Sequence, residues 1–130
     1  MTRDVLVLDA SPLVHFARSG ELDTLAECLK HFDCVTTHAV RGELRRGAER
    51  HPAIRATLDL DWLGSVSCDE LDTLYLFGKY MNRLGNLERN AGEASVLAWA
   101  ERHSAIVMST TRWRATWAVD EASESSGRSI

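Results

Sequence analysis

Val5-Leu6-Val7-Leu8 is an unbroken apolar run between Asp4 and Asp9, the pattern of a strand buried on both faces of a parallel sheet. Ser11-Pro12 then predicts a helix start, because Ser caps well and Pro is tolerated in the first turn. Leu13, Val14, Phe16 and Ala17 give that helix its apolar side, and Gly20 ends it. A second helix is predicted from about Glu21 to His31, with Leu22, Leu25, Ala26 and Leu29 at helical spacing. The short run "DCVTT" reads as a second strand. Thr37 caps a third helix, "HAVRGELRRG", whose core side is Ala39, Val40 and Leu44.

Helical patterning returns from about Pro52 to Leu58, and "WLGSVS" reads as a third strand. Residues 69–84 predict a helix with Leu71, Leu74, Tyr75 and Phe77 as its apolar positions. "GNLERNAG", residues 85–92, predicts a loop. Glu93 to His103 predicts a helix with Ala94, Leu97, Ala98 and Ala100 inward, and "AIVMS" a fourth strand, with a further helix from about Arg112. Strands alternating with helices imply an α/β fold, a parallel sheet of about four strands covered on both faces. Such sheets place sites beyond the carboxyl ends of their strands, where the strand order reverses. One domain over residues 1–118 is expected, and the polar residues 119–130, "DEASESSGRSI" with Val119 before it, predict a disordered tail.

Composition narrows the class. The chain is 45% hydrophobic and 26% charged, a globular profile, with no apolar run long enough to span a bilayer. Asp4 and the short apolar run beside it do not make a signal peptide, so a cytoplasmic protein without a membrane partner is expected. Three cysteines without C-x-x-C spacing suit reduced thiols. His31, Cys34 and His38 have the look of metal ligands, but a fourth ligand is missing and Cys34 falls in a strand. The net charge of -4 argues against binding nucleic acid by bulk charge, yet Arg41, Arg45, Arg46 and Arg50 form a local basic cluster.

Three carboxylates stand out. Asp9 ends the first strand, where an uncompensated charge costs desolvation unless it caps the next helix or meets a cation. Glu43 lies at the border of the buried face of its helix, beside Leu44, and a surface pairing with Arg46 or Arg50 is the plainer explanation. Glu93 opens a helix, a place the macrodipole favours for any carboxylate. Converging, the three would suit a hard divalent ion, Mg2+ or Mn2+, able to activate water against a phosphodiester.

Three segments, "VLVLDASPLVHFARSGELDTL", "TTHAVRGELRRG" and "NAGEASVLAWAERHSAIVMS", together resemble the PIN domain in its toxin-like, VapC-like branch. The resemblance implies an α/β/α sandwich and a metal-dependent endoribonuclease of a toxin–antitoxin pair. It also implies RNA as substrate and a small antitoxin encoded nearby as partner, while the tail tryptophans Trp113 and Trp117, four residues apart, suggest a homodimer contact. It assigns Asp9, Glu43 and Glu93 as catalytic metal ligands. Ser11 matches a small polar position lining the site, and Arg41, Arg45 and Arg46 would hold RNA phosphates. A flavodoxin-like nucleotide-binding domain would need a Gly-rich loop after the first strand, and "DASPL" has none.

The fourth strand departs from this pattern. The family's strand ends in Asp, often Asp-Asp-Arg, where this chain has Thr110, Thr111 and Arg112. Thr110 and Arg112 are then substrate-side residues rather than acids, and a three-acid site should hold its metal less tightly. The alternative reading is a catalytically inactive module that binds an antitoxin or RNA. The family's C-terminal strand is also expected to be missing. A frameshift near Met108 accounts for both departures: with GC-rich codons, the frame starting at the last base of the Met108 codon reads Val-Asp-Asp. The gene's nucleotide sequence tests this, and stop codons or an absence of Asp codons in that frame dismiss it.

Overall fold

In a computed structural model, residues 3–109 are described in full and residues 113–115 as backbone. The strands are β1 (Val5–Leu8), β2 (Asp33–Thr37), β3 (Leu63–Val66), β4 (Ile106–Met108) and β5 (Trp113–Ala115). The helices are α1 (Ala10–Arg18), α2 (Leu22–Cys28), α3 (His38–Arg50), α4 (Leu71–Arg83) and α5 (Ala91–His103). Two 3-10 segments, Pro52–Asp59 and Glu88–Asn90, precede β3 and α5.

The sheet order is β3-β2-β1-β4-β5. The first four strands are parallel and helices cover both sides, as the α/β reading expected. β1 is central: Leu6 pairs with Cys34 and Ile106, Val7 with Val35 and Val107. Leu6, Val7 and Leu8 are fully buried, which is why the run carries no alternating polar positions. Each such side chain contributes roughly 1.5–3 kcal/mol of burial. Strand order reverses between β1 and β4, so the crevice beyond their carboxyl ends opens at Asp9 and Ser109.

β5 corrects one expectation, the helix from about Arg112. Residues 113–115 form a strand antiparallel to β4, with Met108 opposite Trp113 and Ile106 opposite Ala115. No helix occupies them, and, being antiparallel, β5 adds an edge to the expected four-stranded parallel sheet. The exposed edge of a three-residue strand offers unpaired backbone groups that a returning chain satisfies, whatever its helical spacing. Thr110, Arg112 and Trp117 lie outside the described residues, as does the tail.

Two helices depart from their predicted faces or bounds. α1 begins at Ala10, not Ser11, because Asp9 is its cap: Oδ1 accepts from the Ala10 amide at 2.8 Å. Pro12 still fits, since first-turn amides need no intrahelical partner. On α4, Leu71 is 84% exposed and Tyr75 74% exposed, while Thr73 and Tyr80 are buried. The helix is rotated so that Tyr80, whose hydroxyl donates to Glu101 at 2.5 Å, packs against α5.

α5 is buried almost all round, from Gly92 and Ala94 through Ala98 and Ala100. Its small residues let α3 and α4 approach closely. Thr37 fixes the angle between α3 and α5. Its hydroxyl accepts from the Val40 amide at 3.2 Å and lies 2.6 Å from the Ser95 hydroxyl, which reaches the Gly92 carbonyl at 2.7 Å. Each hydroxyl has one proton, so Thr37 donates to Ser95 and Ser95 donates to Gly92. No helix among the described residues is long and apolar enough to cross a membrane.

Candidate metal centre

Asp9 is held at the head of the crevice by its backbone. Its amide donates to the Met108 carbonyl at 2.9 Å, extending the β1–β4 ladder by one step. Beside it, Ser11 Oγ lies 3.5 Å from Ser109 Oγ, a contact between α1 and the end of β4. Ser109 is buried and was not singled out by the sequence pattern.

Glu43 reaches this place from the middle of α3, which Thr37 caps, and it arrives against α5. A Cβ built on Gly92 would lie 2.0 Å from Glu43 Oε1 and 2.8 Å from its carboxyl carbon. Glycine is required here by close approach, since Gly92 sits inside a helix and needs no unusual backbone. The predicted loop over residues 85–92 therefore ends early: Gly92 belongs to α5, and its missing side chain is the space Glu43 fills.

The Glu43 carboxyl is pushed above the usual carboxylate range, first by burial and then by the neighbouring Asp9 charge. The Gly92 backbone amide and the Arg46 guanidinium pull it down, and Glu93 adds a smaller upward push. The three acids thus share one electrostatic neighbourhood. Glu43 Oε1 is buried and accepts no hydrogen bond among the described residues. Among those residues, no three His, Cys, Asp or Glu side chains stand close enough to grip an ion together as they lie. The donor set still fits a hard cation: a buried carboxylate oxygen without a donor, beside like charges whose repulsion a cation relieves.

The α3 arginines divide by helical angle. Arg46, three residues after Glu43, is on its side and acts on its charge. Arg41 turns away and donates to the Leu58 carbonyl at 3.3 Å, tying the 3-10 segment to α3. Arg45 is exposed and makes no hydrogen bond or ion pair among the described residues. Cys34, of the histidine–cysteine set, is buried in β2, where desolvation pushes its thiol up to about 11.

Sequence reasoning missed one feature. A cleft of about 900 Å³ opens beside Glu43, lined by Ser11, Val14, His15, Arg18 and Ser19 of α1 and its cap. The spacing of Ser11, His15 and Arg18, four and then three residues, is the signal that could have found it.

A family model described as a PIN domain matches residues 5–112, most of the chain. The chain belongs to the PIN-domain family. No curated protein matches it. The PIN domain is a nuclease-type fold, and the match runs from the start of β1 past β4 to Arg112. In this PIN domain Asp9 follows β1, Glu43 comes from α3 and Glu93 from the first turn of α5.

Two expected outcomes follow from the crowding at Glu43. Gly92→Ala should fold with stability within about 1 kcal/mol of the parent, because alanine is the better helix former and a side-chain end can yield. The displaced carboxylate should lower nuclease activity by about a hundredfold. Parent-level activity in a folded Gly92→Ala protein would show that Glu43 does not need this position. For Glu43 itself, a folded pKa above the unfolded value means the native state binds the proton more tightly. Stability then falls as pH rises from about the model-peptide value of 4.5 through the folded value, and the full cost persists above it. Glu43→Gln should raise Tm at pH 7 by on the order of 3 °C and flatten its pH dependence. An unchanged or lower Tm in thermal melts across that range contradicts the assignment.

Proposed function

We propose that this PIN domain is a metal-dependent endoribonuclease of the VapC-like toxin type. The observation that carries the reading is the buried, hydrogen-bond-free Oε1 of Glu43, set beside Asp9 and Glu93 at the strand-order reversal. Asp9, Glu43 and Glu93 would hold Mg2+ or Mn2+. When bound, the ion supplies charge to a phosphodiester oxygen and lowers the pKa of a water nucleophile.

The chain's own groups perform the rest. The Asp9 cap and its amide bond to Met108 fix the first carboxylate on the rigid end of β1. The Thr37–Ser95–Gly92 chain of hydroxyls sets α3 against α5, so Glu43 and Glu93 come from elements held at one angle. Arg46 offsets part of the negative charge near Glu43, which helps an anionic substrate approach. Ser11 and Ser109 offer hydroxyls at the crevice mouth. Thr110 and Arg112, which come after β4 in the sequence, are the proposed substrate-side residues.

A small antitoxin encoded nearby is the proposed partner, with the protein acting as a homodimer in the cytoplasm. The exposed Leu71, Leu74 and Tyr75 on α4 offer apolar surface for such contacts. One observation favours a second reading, an inactive module that binds RNA or an antitoxin: Thr110 and Thr111 stand where the family's strand carries Asp.

The purified protein is expected to cleave single-stranded RNA with Mg2+ or Mn2+ and not with EDTA. Asp9→Asn should reduce that cleavage by at least about a hundredfold while the protein stays folded. RNA binding without cleavage under any of these ions would favour the inactive module.

A further inference from the structure

Glu43 accounts for the head of the cleft and leaves its length without a role. Ser11, His15 and Arg18 follow one another along one side of α1, and with Ser19 they line a channel of about 900 Å³ that has Glu43 at one end. Arg18 is exposed and makes no ion pair among the described residues. His15 is exposed and meets the Phe16 ring edge-on, at 5.6 Å between centroids. The Ser19 hydroxyl donates to the His15 carbonyl at 3.0 Å, holding the last turn of α1. Basic groups at a helix C-terminus are common for dipole reasons alone. What sets these apart is that they face the same open cleft as the candidate metal ligand.

Charge then changes sign along the cleft, from the Glu43 carboxylate at one end to the Arg18 guanidinium at the other. α1 rises about 1.5 Å per residue, so Arg18 lies roughly 10 Å beyond Ser11. One phosphate cannot touch both ends at once, whereas neighbouring phosphates of a single strand can. Among the described residues no Phe, Tyr or Trp side chain lines the cleft, so they offer no such platform for base stacking.

We infer that the α1 cleft is the track of the RNA strand, with Arg18 and His15 holding a phosphate next to the one presented to the acids. This rests on the nuclease reading above. The contact is to the backbone, so it adds affinity without reading sequence.

The test is equilibrium binding of labelled single-stranded RNAs of unrelated sequence, by fluorescence anisotropy, over a range of salt. It uses the full chain carrying Asp9→Asn, in Mg2+, so that the strand survives. Adding Arg18→Ala should weaken binding about three- to tenfold for every RNA and reduce the log–log salt slope by about one. His15→Ala should weaken it less, and Arg55→Ala, on the exposed 3-10 segment, should change neither quantity. Thermal melts establish that each variant is folded. Unchanged affinity and slope for Arg18→Ala, with the parent still binding RNA, overturn the inference and leave the nuclease reading standing. A loss confined to one RNA sequence also overturns it, because that is base reading. A parent that binds no RNA, alongside wild type that cleaves none, overturns both.

Discussion

The site depends on one crowded contact, the Glu43 carboxylate lying in the space where Gly92 has no side chain. Two helices must meet at that distance for a carboxylate to be half-buried there, and a Cβ on Gly92 would occupy its position. Burial and the Asp9 charge then hold Glu43 above its ordinary pKa, a cost the apo fold bears. Such a cost is typical of sites built for a charged ligand, where the arrangement that serves binding opposes stability.

The rest of the fold can be understood as support for that contact. β1 is buried on both faces and delivers Asp9 at a fixed backbone position. Thr37 does two jobs with one hydroxyl, capping α3 and reaching Ser95 on α5. Buried hydroxyls without partners are costly, so a completed chain to the Gly92 carbonyl favours one relative placement of the two helices. That placement is what presses Glu43 onto Gly92 and brings Glu93 near.

The charge pattern of the crevice gives the site a direction. Glu43 stands at its head under the influence of Asp9, Glu93 and Arg46, and His15 and Arg18 lie further along α1. A protein with a net charge of -4 can still attract a polyanion locally in this way, because screening confines the influence of each group to about 10 Å.

Much of this was legible in the linear pattern. The apolar runs of β1 and β4, the cap at Thr37 and the inward face of α5 follow from local periodicity and capping, which short-range sterics and hydrogen bonding enforce. The three acids could be picked out because each sits at an element boundary or a face border. Other features were decided by tertiary packing. Which side of α4 turned inward depended on Tyr80 meeting α5, not on where Leu71 and Tyr75 fell. Residues 113–115 became a strand because β4 offered an edge. Gly92 looked like loop punctuation until α3 arrived against it, and the contact of Arg41 with the Leu58 carbonyl, seventeen residues on, has no signal in the linear pattern. Sequence determines what each segment favours locally; only the meeting of segments far apart in the chain determines which groups share a dielectric, a void or a charge.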